Sequence, residues 1–326
     1  MLIENRCSSA FPTVWNLLQK QHSRSITYSC TRRCGGLGDR LAATISVITY
    51  GILTNRTSMI DDKGLSSIFS FSNLLKRDID QPILRCSSSS HLCNWLQKDF
   101  LIKHMKVSGI RRCQFCYWVK SNTQWGSMLR SLNLDKNIPL AASCLLHSKL
   151  SLQHLSPQPS EFEVGIHIRT FALHAPGERG RPEGYKDISM VECVKHAFSG
   201  FPKITTKTHA VLLSDSSETS LEAQQTISKE NLTISISQTQ PYHIDSIPQT
   251  QCHTCINSTI TDWLRLAQTN TIFSACDRGR SSGFAMYAVL WGYGEKDISF
   301  YRSSREKNRC EWKKSFWNIT DGTWLC

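Results

Sequence analysis

Between residues 161 and 301, short β-prone apolar runs alternate with stretches of helical character, and this alternation constrains the fold more than any other feature of the chain. Strands are expected at 161–169, 209–213, 232–237, 271–274 and 297–301, with helices at 218–227, 262–268 and 283–291. Helices between strands let successive strands run parallel in one sheet covered on both faces, so the pattern predicts a doubly wound α/β domain. A second βαβ outline lies earlier. It comprises β-prone residues 25–29, the glycine turn Cys34-Gly-Gly-Leu-Gly-Asp39, an apolar helix over 41–53 and a strand over 57–60. Residues 151–160 are polar with two prolines and read as a linker. The expected organisation is therefore two α/β lobes, residues 1–155 and 156–326, facing each other across a cleft. Ligands of open α/β sheets bind beyond the carboxyl ends of the strands, where several candidate site residues fall.

Composition narrows the functional classes. With 40% hydrophobic and 20% charged residues over 326 positions, wholesale disorder, collagen-like and coiled-coil architectures are excluded. The longest apolar stretch, 41–53 between Arg40 and Arg56, is shorter than the roughly 20 residues that cross a bilayer, so no membrane span is expected. Lys and Arg exceed Asp and Glu by 38 to 26, a net charge of +12. They are spread along the chain without a run of five or an interleaved aromatic motif, which argues against nucleic acid. A basic cleft for a nucleotide diphosphate is the simpler account.

The 14 cysteines point to an oxidising compartment. Cys113/Cys116 and Cys252/Cys255 have zinc-like spacing but lie on opposite sides of the linker, so disulfides are expected and no metal. Cys310 and Cys326 bracket Trp312, Trp317 and Trp324, which are expected to pack on the core, the other reading being stacking on a sugar face. Sequons at Asn55, Asn231, Asn257 and Asn318 add weak support for secretion. The first seven residues, Met-Leu-Ile-Glu-Asn-Arg-Cys, do not read as a signal peptide. Two expectations stand side by side: a catalytic fragment without its leader, or a protein working outside the Golgi.

Three stretches carry the chemistry. In Gly35-Gly-Leu-Gly-Asp-Arg40, glycines between strand and helix let backbone N–H groups approach an anion, with Asp39 and Arg40 at the helix start. Leu41 stands where a dinucleotide fingerprint has its third glycine, and no Gly-Lys-Ser/Thr follows, which excludes a P-loop. In Gly165-Ile-His-Ile-Arg-Thr170, His167 and Arg169 share one face of a strand while Ile166 and Ile168 take the other. An arginine ending a buried strand needs a partner, either an internal carboxylate or a phosphate held bidentately. His167 reads equally as a satisfied core histidine. In Thr271-Ile-Phe-Ser274 followed by Ser281-Ser-Gly-Phe284 and an apolar helix, small hydroxyl residues at the helix start cap the helix or bind a phosphate, next to the basic pair Arg278 and Arg280.

Taken together and in this order, these stretches resemble the fucosyltransferase superfamily that includes α1,2-, α1,6- and protein O-fucosyltransferases. The matching pieces are Gly35 to Leu41, His167 to Arg169 and Ser282 to Phe284. Val211-Leu-Leu-Ser-Asp-Ser216 is similar to the family's strand and Ser/Thr-Asp turn, and Asp262-Trp-Leu-Arg-Leu266 to its Asp-led helix. The resemblance covers residues 27 to 292 and departs at Arg169-Thr-Phe-Ala, where relatives with a double arginine have Arg-Arg-Thr-Asp.

The resemblance implies a GT-B fold with two Rossmann-like lobes. It also implies inverting, metal-independent transfer of L-fucose from GDP-fucose to a glycan or protein hydroxyl in the Golgi or ER lumen. Arg169 would hold the diphosphate. The nucleotide side would comprise Gly36, Gly38, Arg40, His167, Asp215, Ser281, Ser282, Gly283 and Phe284. Inversion needs a base for the acceptor proton, for which Glu178 is the first candidate and Asp39 the second. The C-terminal lobe would bind the donor and the N-terminal lobe the acceptor. Rival readings are a non-catalytic GDP-sugar or glycan-binding protein of the same fold and an NAD-dependent Rossmann oxidoreductase, the latter disfavoured by Leu41.

Overall fold

A computed structural model describes residues 7–12, 16, 25–30, 36–54, 57–66, 68–71, 114–115, 138–152, 162–170, 191–194, 208–227, 233–236, 253–276, 282–293, 299–306 and 309–314. The chain divides into two compact units. The first comprises Met1–Cys34, Asp39–Gln153 and Trp317–Leu325, and the second Gly35–Gly38, His154–Phe316 and Cys326.

In the first unit, β1 (Ser25–Cys30) lies between β2 (Thr57–Asp62) and β4 (Gln114–Phe115), both parallel to it. A short antiparallel pair joins β3 (Phe69–Phe71) to β5 (Leu150–Leu152). Between β1 and β2 runs α1 (Leu37–Thr54), four residues longer at its start than the apolar run suggests. Leu37 and Leu41 are both buried, one helical turn apart, so the buried stripe begins inside the glycine motif and draws Gly38, Asp39 and Arg40 into the helix. The short α2 (Lys63–Ser66) follows β2, and α3 (Ile138–Lys149) carries Pro139 at its start, where a missing N–H costs no helical bond. Cys144 of α3 is disulfide-bonded to Cys7 across 137 residues, a closure that stabilises by about 5 kcal/mol in the chain-entropy account.

The second unit is built on a six-stranded sheet in the order β11-β10-β9-β6-β7-β8. Its strands are β6 (Val164–Arg169), β7 (His209–Ser214), β8 (Thr233–Ile236), β9 (Thr271–Cys276), β10 (Ser299–Glu306) and β11 (Arg309–Lys314). All pair in parallel except β11, which returns antiparallel along β10. The first strand, β6, is central; β7 and β8 build outward on one side before the chain crosses back to place β9 on the other. This is the doubly wound order, and its switch point lies between β6 and β9.

Register decides what each face carries. Ile166, Leu212 and Phe273 stand opposite one another and, with Ala223 and Ile227 of α4 (Ser217–Ile227), form the core of one face. Gly165, His167 and Ser274 belong to the other face, against α5 (His253–Ala267) and α6 (Gly283–Tyr293). A Cβ at Gly165 would lie 2.5 Å from Leu266 Cδ1, so glycine there is what lets α5 lie down on β6. Trp263 of α5 is fully buried, meets Trp291 of α6 at 5.2 Å between ring centroids, and donates its indole N–H to the Phe284 carbonyl at 3.1 Å. Asp262 sits inside α5 rather than leading it, because the helix starts nine residues earlier at His253. Trp312 packs on the core, T-shaped to Phe273, and donates to the Cys193 carbonyl at 2.8 Å. Trp317, Trp324, Cys113, Cys116 and Cys252 lie outside the described residues. No helix among the described residues is long and apolar enough to cross a membrane.

Candidate functional site

The C-terminal end of β6 brings together three ionisable side chains, His167, Arg169 and Asp215. Arg169, the last residue of β6, reaches the turn after β7, where its Nη1 lies 3.0 Å from Asp215 Oδ2. Asp215 is itself held. Its Oδ1 accepts the Thr170 backbone N–H at 2.7 Å and the Thr170 hydroxyl at 2.9 Å. The contact with Arg169 is an ion pair without hydrogen-bond alignment, so Oδ2 has no hydrogen-bond partner among the described residues. Asp215 is almost sealed, with 6% of its side chain exposed, whereas Arg169 keeps 17%. The positive group is thus the one that meets solvent.

One turn back on the same strand face, the His167 ring stacks on Phe284 at 5.3 Å between centroids, with planes inclined by 23°. Burial pushes the imidazole down to about 4; Asp215 partly offsets the loss, and Arg169 adds to it. At neutral pH the ring is uncharged, with one nitrogen a donor and the other an acceptor. Among the described residues its Nδ1 is buried without a hydrogen-bond partner, and so is the hydroxyl of Ser274, the register partner of His167 on β9. Two orphaned polar groups on one face beside the switch point are costly unless a ligand or water satisfies them.

The N-terminus of α6 completes the cluster. Ser282 is buried just before the helix, and its carbonyl accepts the first helical bond, from the Met286 N–H at 3.0 Å, which makes it the N-cap. Gly38 packs here: a Cβ on it would lie 2.5 Å from the Gly283 carbonyl carbon and 2.7 Å from the Phe284 nitrogen. This glycine permits backbone to approach backbone, a packing requirement independent of any phosphate.

The other expected residues fall as follows. Gly36 is a half-buried bend before α1. Arg40 turns into the first unit, buried against Asp62 at 2.5 Å, with the two side chains 4% and 0% exposed. Asp62 also accepts from the Tyr28 hydroxyl at 3.2 Å and the Gly64 and Leu65 amides at 2.8 and 3.1 Å. Burial pushes its carboxyl above the ordinary value of 3.8, and Arg40, the amides and Tyr28 only partly oppose this. Asp39 lies in the first turn of α1, its side chain outside the described residues, as are Glu178 and Ser281 altogether. His167, Arg169, Asp215, Gly38, Ser282, Gly283 and Phe284 come together in the second unit. Thr170 and Ser274 join them; both lie inside the stretches that carry the chemistry, but the sequence assigns neither a role. Thr170 is signalled only by following Arg169 directly, and Ser274 by ending the expected strand 271–274.

Among the described residues, no group of three or more His, Cys, Asp or Glu side chains is placed to hold a metal ion. No protein-family model and no curated protein matches the chain. Among solved structures it is similar to Arabidopsis thaliana FUT1, a fucosyltransferase, in an arginine-to-lysine mutant in complex with GDP. The similarity covers 95% of this chain and 79% of that one, at 12% identity and a TM-score of 0.55. At that identity the likeness is one of fold. The chain is a mixed α/β protein with a parallel sheet and a glycosyltransferase-like fold.

Proposed function

We propose that the chain is an inverting glycosyltransferase that takes a sugar, L-fucose, from GDP-fucose to a hydroxyl of a glycan or glycoprotein. The reading rests on one observation: Arg169 is anchored by Asp215 at the end of β6, on the sheet face that α6 covers, beside His167 Nδ1 and the Ser274 hydroxyl, which have no hydrogen-bond partner among the described residues. A fold shared with a GDP-bound fucosyltransferase supports it.

Departure of a sugar from a diphosphate builds negative charge on the leaving oxygen. Arg169 supplies a fixed cation for that charge and the α6 amides supply dipoles, so a metal ion is not required. Neutral His167 offers a hydrogen bond without competing for the phosphate's counter-charge. The second unit takes the donor in this reading and the first unit the acceptor. Glu178 or Asp39 accepts the hydroxyl proton. The buried Cys7–Cys144 disulfide favours a lumenal, oxidising compartment of the secretory pathway.

Thermal-shift measurements with GDP, UDP and NAD test the nucleotide. At about 100 times its Kd, a ligand of the native state adds about 2.7 kcal/mol of stability. GDP is expected to stabilise the protein most; stabilisation by NAD and not by GDP would contradict the proposal. A glycan-array transfer assay with GDP-fucose then tests turnover and identifies the acceptor.

A further inference from the structure

We infer that Asp215 is a positioning residue for Arg169, with Thr170 as its anchor, and that it contacts no part of the nucleotide. This deepens the proposed donor site and rests on that reading. The resemblance had placed Asp215 among the nucleotide-lining residues; the geometry gives its carboxylate a different task. Oδ1 is occupied twice over by Thr170, through the backbone N–H at 2.7 Å and the hydroxyl at 2.9 Å. That bidentate grip joins the β7 turn to the end of β6, 45 residues apart in sequence. It leaves Oδ2 directed at Arg169 Nη1, 3.0 Å away. The carboxylate is shielded while the guanidinium is partly exposed, so a ligand arriving from solvent meets the arginine first.

A long cationic side chain loses rotamer freedom when it binds an anion. A guanidinium already held along one edge has given up much of that freedom beforehand, and its planar fork is oriented for a bidentate oxyanion. An acidic side chain beside a diphosphate would oppose binding through charge. Its presence here is accounted for if the orientation gained outweighs that repulsion. Thr170 then sets the rotamer of Asp215, and Asp215 sets that of Arg169.

The test uses the full chain in wild-type, Asp215→Asn, Thr170→Val, Arg169→Ala and Asp215→Asn/Arg169→Ala forms, titrated with GDP and with guanosine, which lacks phosphate. Asparagine keeps the acceptor for Thr170, and valine keeps the shape of threonine, so at least one single variant retains the fold. Asp215→Asn is expected to weaken GDP about tenfold and guanosine less than twofold. In the Arg169→Ala background it should weaken GDP no further. Thr170→Val should give a smaller loss of the same kind. Mass-spectrometric mapping of phenylglyoxal labelling should show Arg169 reacting several-fold faster in Asp215→Asn, with other arginines unchanged. Parallel losses for guanosine and GDP, or losses that add to those of Arg169→Ala, would overturn the assignment. If the wild type binds no GDP, the nucleotide reading fails. The labelling rate then decides the positioning role alone, and an unchanged rate at Arg169 rejects it.

Discussion

The two units each place an arginine–aspartate pair at the carboxyl end of a parallel strand, and the pairs differ in one respect. Asp62 ends β2 and accepts from two amides of the following turn, a tyrosine hydroxyl and Arg40. Asp215 follows β7, accepts from an amide and a hydroxyl, and forms an ion pair with Arg169. The chemistry is nearly the same. In the first unit both side chains are sealed, whereas in the second the arginine remains 17% exposed. A sealed pair holds β2, α1 and α2 together, while an open one can hold strands together and still present a cation to a ligand. Burial thus separates two arginines that sequence motifs alone treat as equivalent donor-site candidates.

Four substitutions or conditions sharpen this contrast. Asp62→Ala removes the carboxylate buried against the Arg40 charge, a loss that typically costs about 3–5 kcal/mol; urea denaturation should show it, while GDP affinity in the folded fraction stays unchanged. Arg169→Ala leaves the shielded Asp215 carboxylate with its Thr170 hydrogen bonds but without its cation, so denaturation should show a loss of about 1–3 kcal/mol, smaller than that of Asp62→Ala because the guanidinium is partly exposed. Transfer should fall about 100- to 1000-fold, the range seen when one oxyanion donor is lost. A variant pair showing the reverse pattern would exchange the roles assigned to the two arginines.

Acid distinguishes the units as well. His167 has its imidazole lowered from 6.5 to about 4. The unfolded chain therefore takes up this proton first, and the contribution of neutral His167 is complete above pH 6.5 and lost as pH falls toward 4. A shift of that size corresponds to stability on the order of 3 kcal/mol. Comparing pH-dependent denaturation of the wild type and His167→Gln should show the acid-labile component disappear in the variant. Equal slopes between pH 6.5 and 4 would remove His167 as its source. The smallest effect is expected for Thr170→Val, which deletes one hydrogen bond and should cost about 1 kcal/mol in stability.

Much of the second unit was legible because its strands carry local signals. Residues 164–169, 209–214 and 271–276 are short β-branched or apolar runs next to turns, and the structure has strands there. Strand order was beyond reach, since nothing local says that β9 crosses back beside β6. The clamp of Thr170 on Asp215 was hidden for the same reason: it spans 45 residues and depends on register. The β10–β11 hairpin carries Arg302, Arg305, Lys313 and Lys314 among its residues, which masks the strand pattern on both sides of the turn. In the first unit, α3 carries a local signal in Pro139 before an apolar run. The glycine motif answers a packing requirement that its sequence does not announce. Its glycines read as a phosphate cradle, yet Gly38 is required by backbone contact with α6, and Arg40 by a buried carboxylate.

The central claim is that the open pair, and not the sealed one, meets a nucleotide diphosphate. Isothermal titration of GDP into the wild type and Arg169→Ala tests it most directly. Saturable binding by the wild type that weakens at least tenfold in Arg169→Ala, with the variant still folded at the titration temperature, is the predicted result. Equal GDP affinity in the two proteins would contradict it.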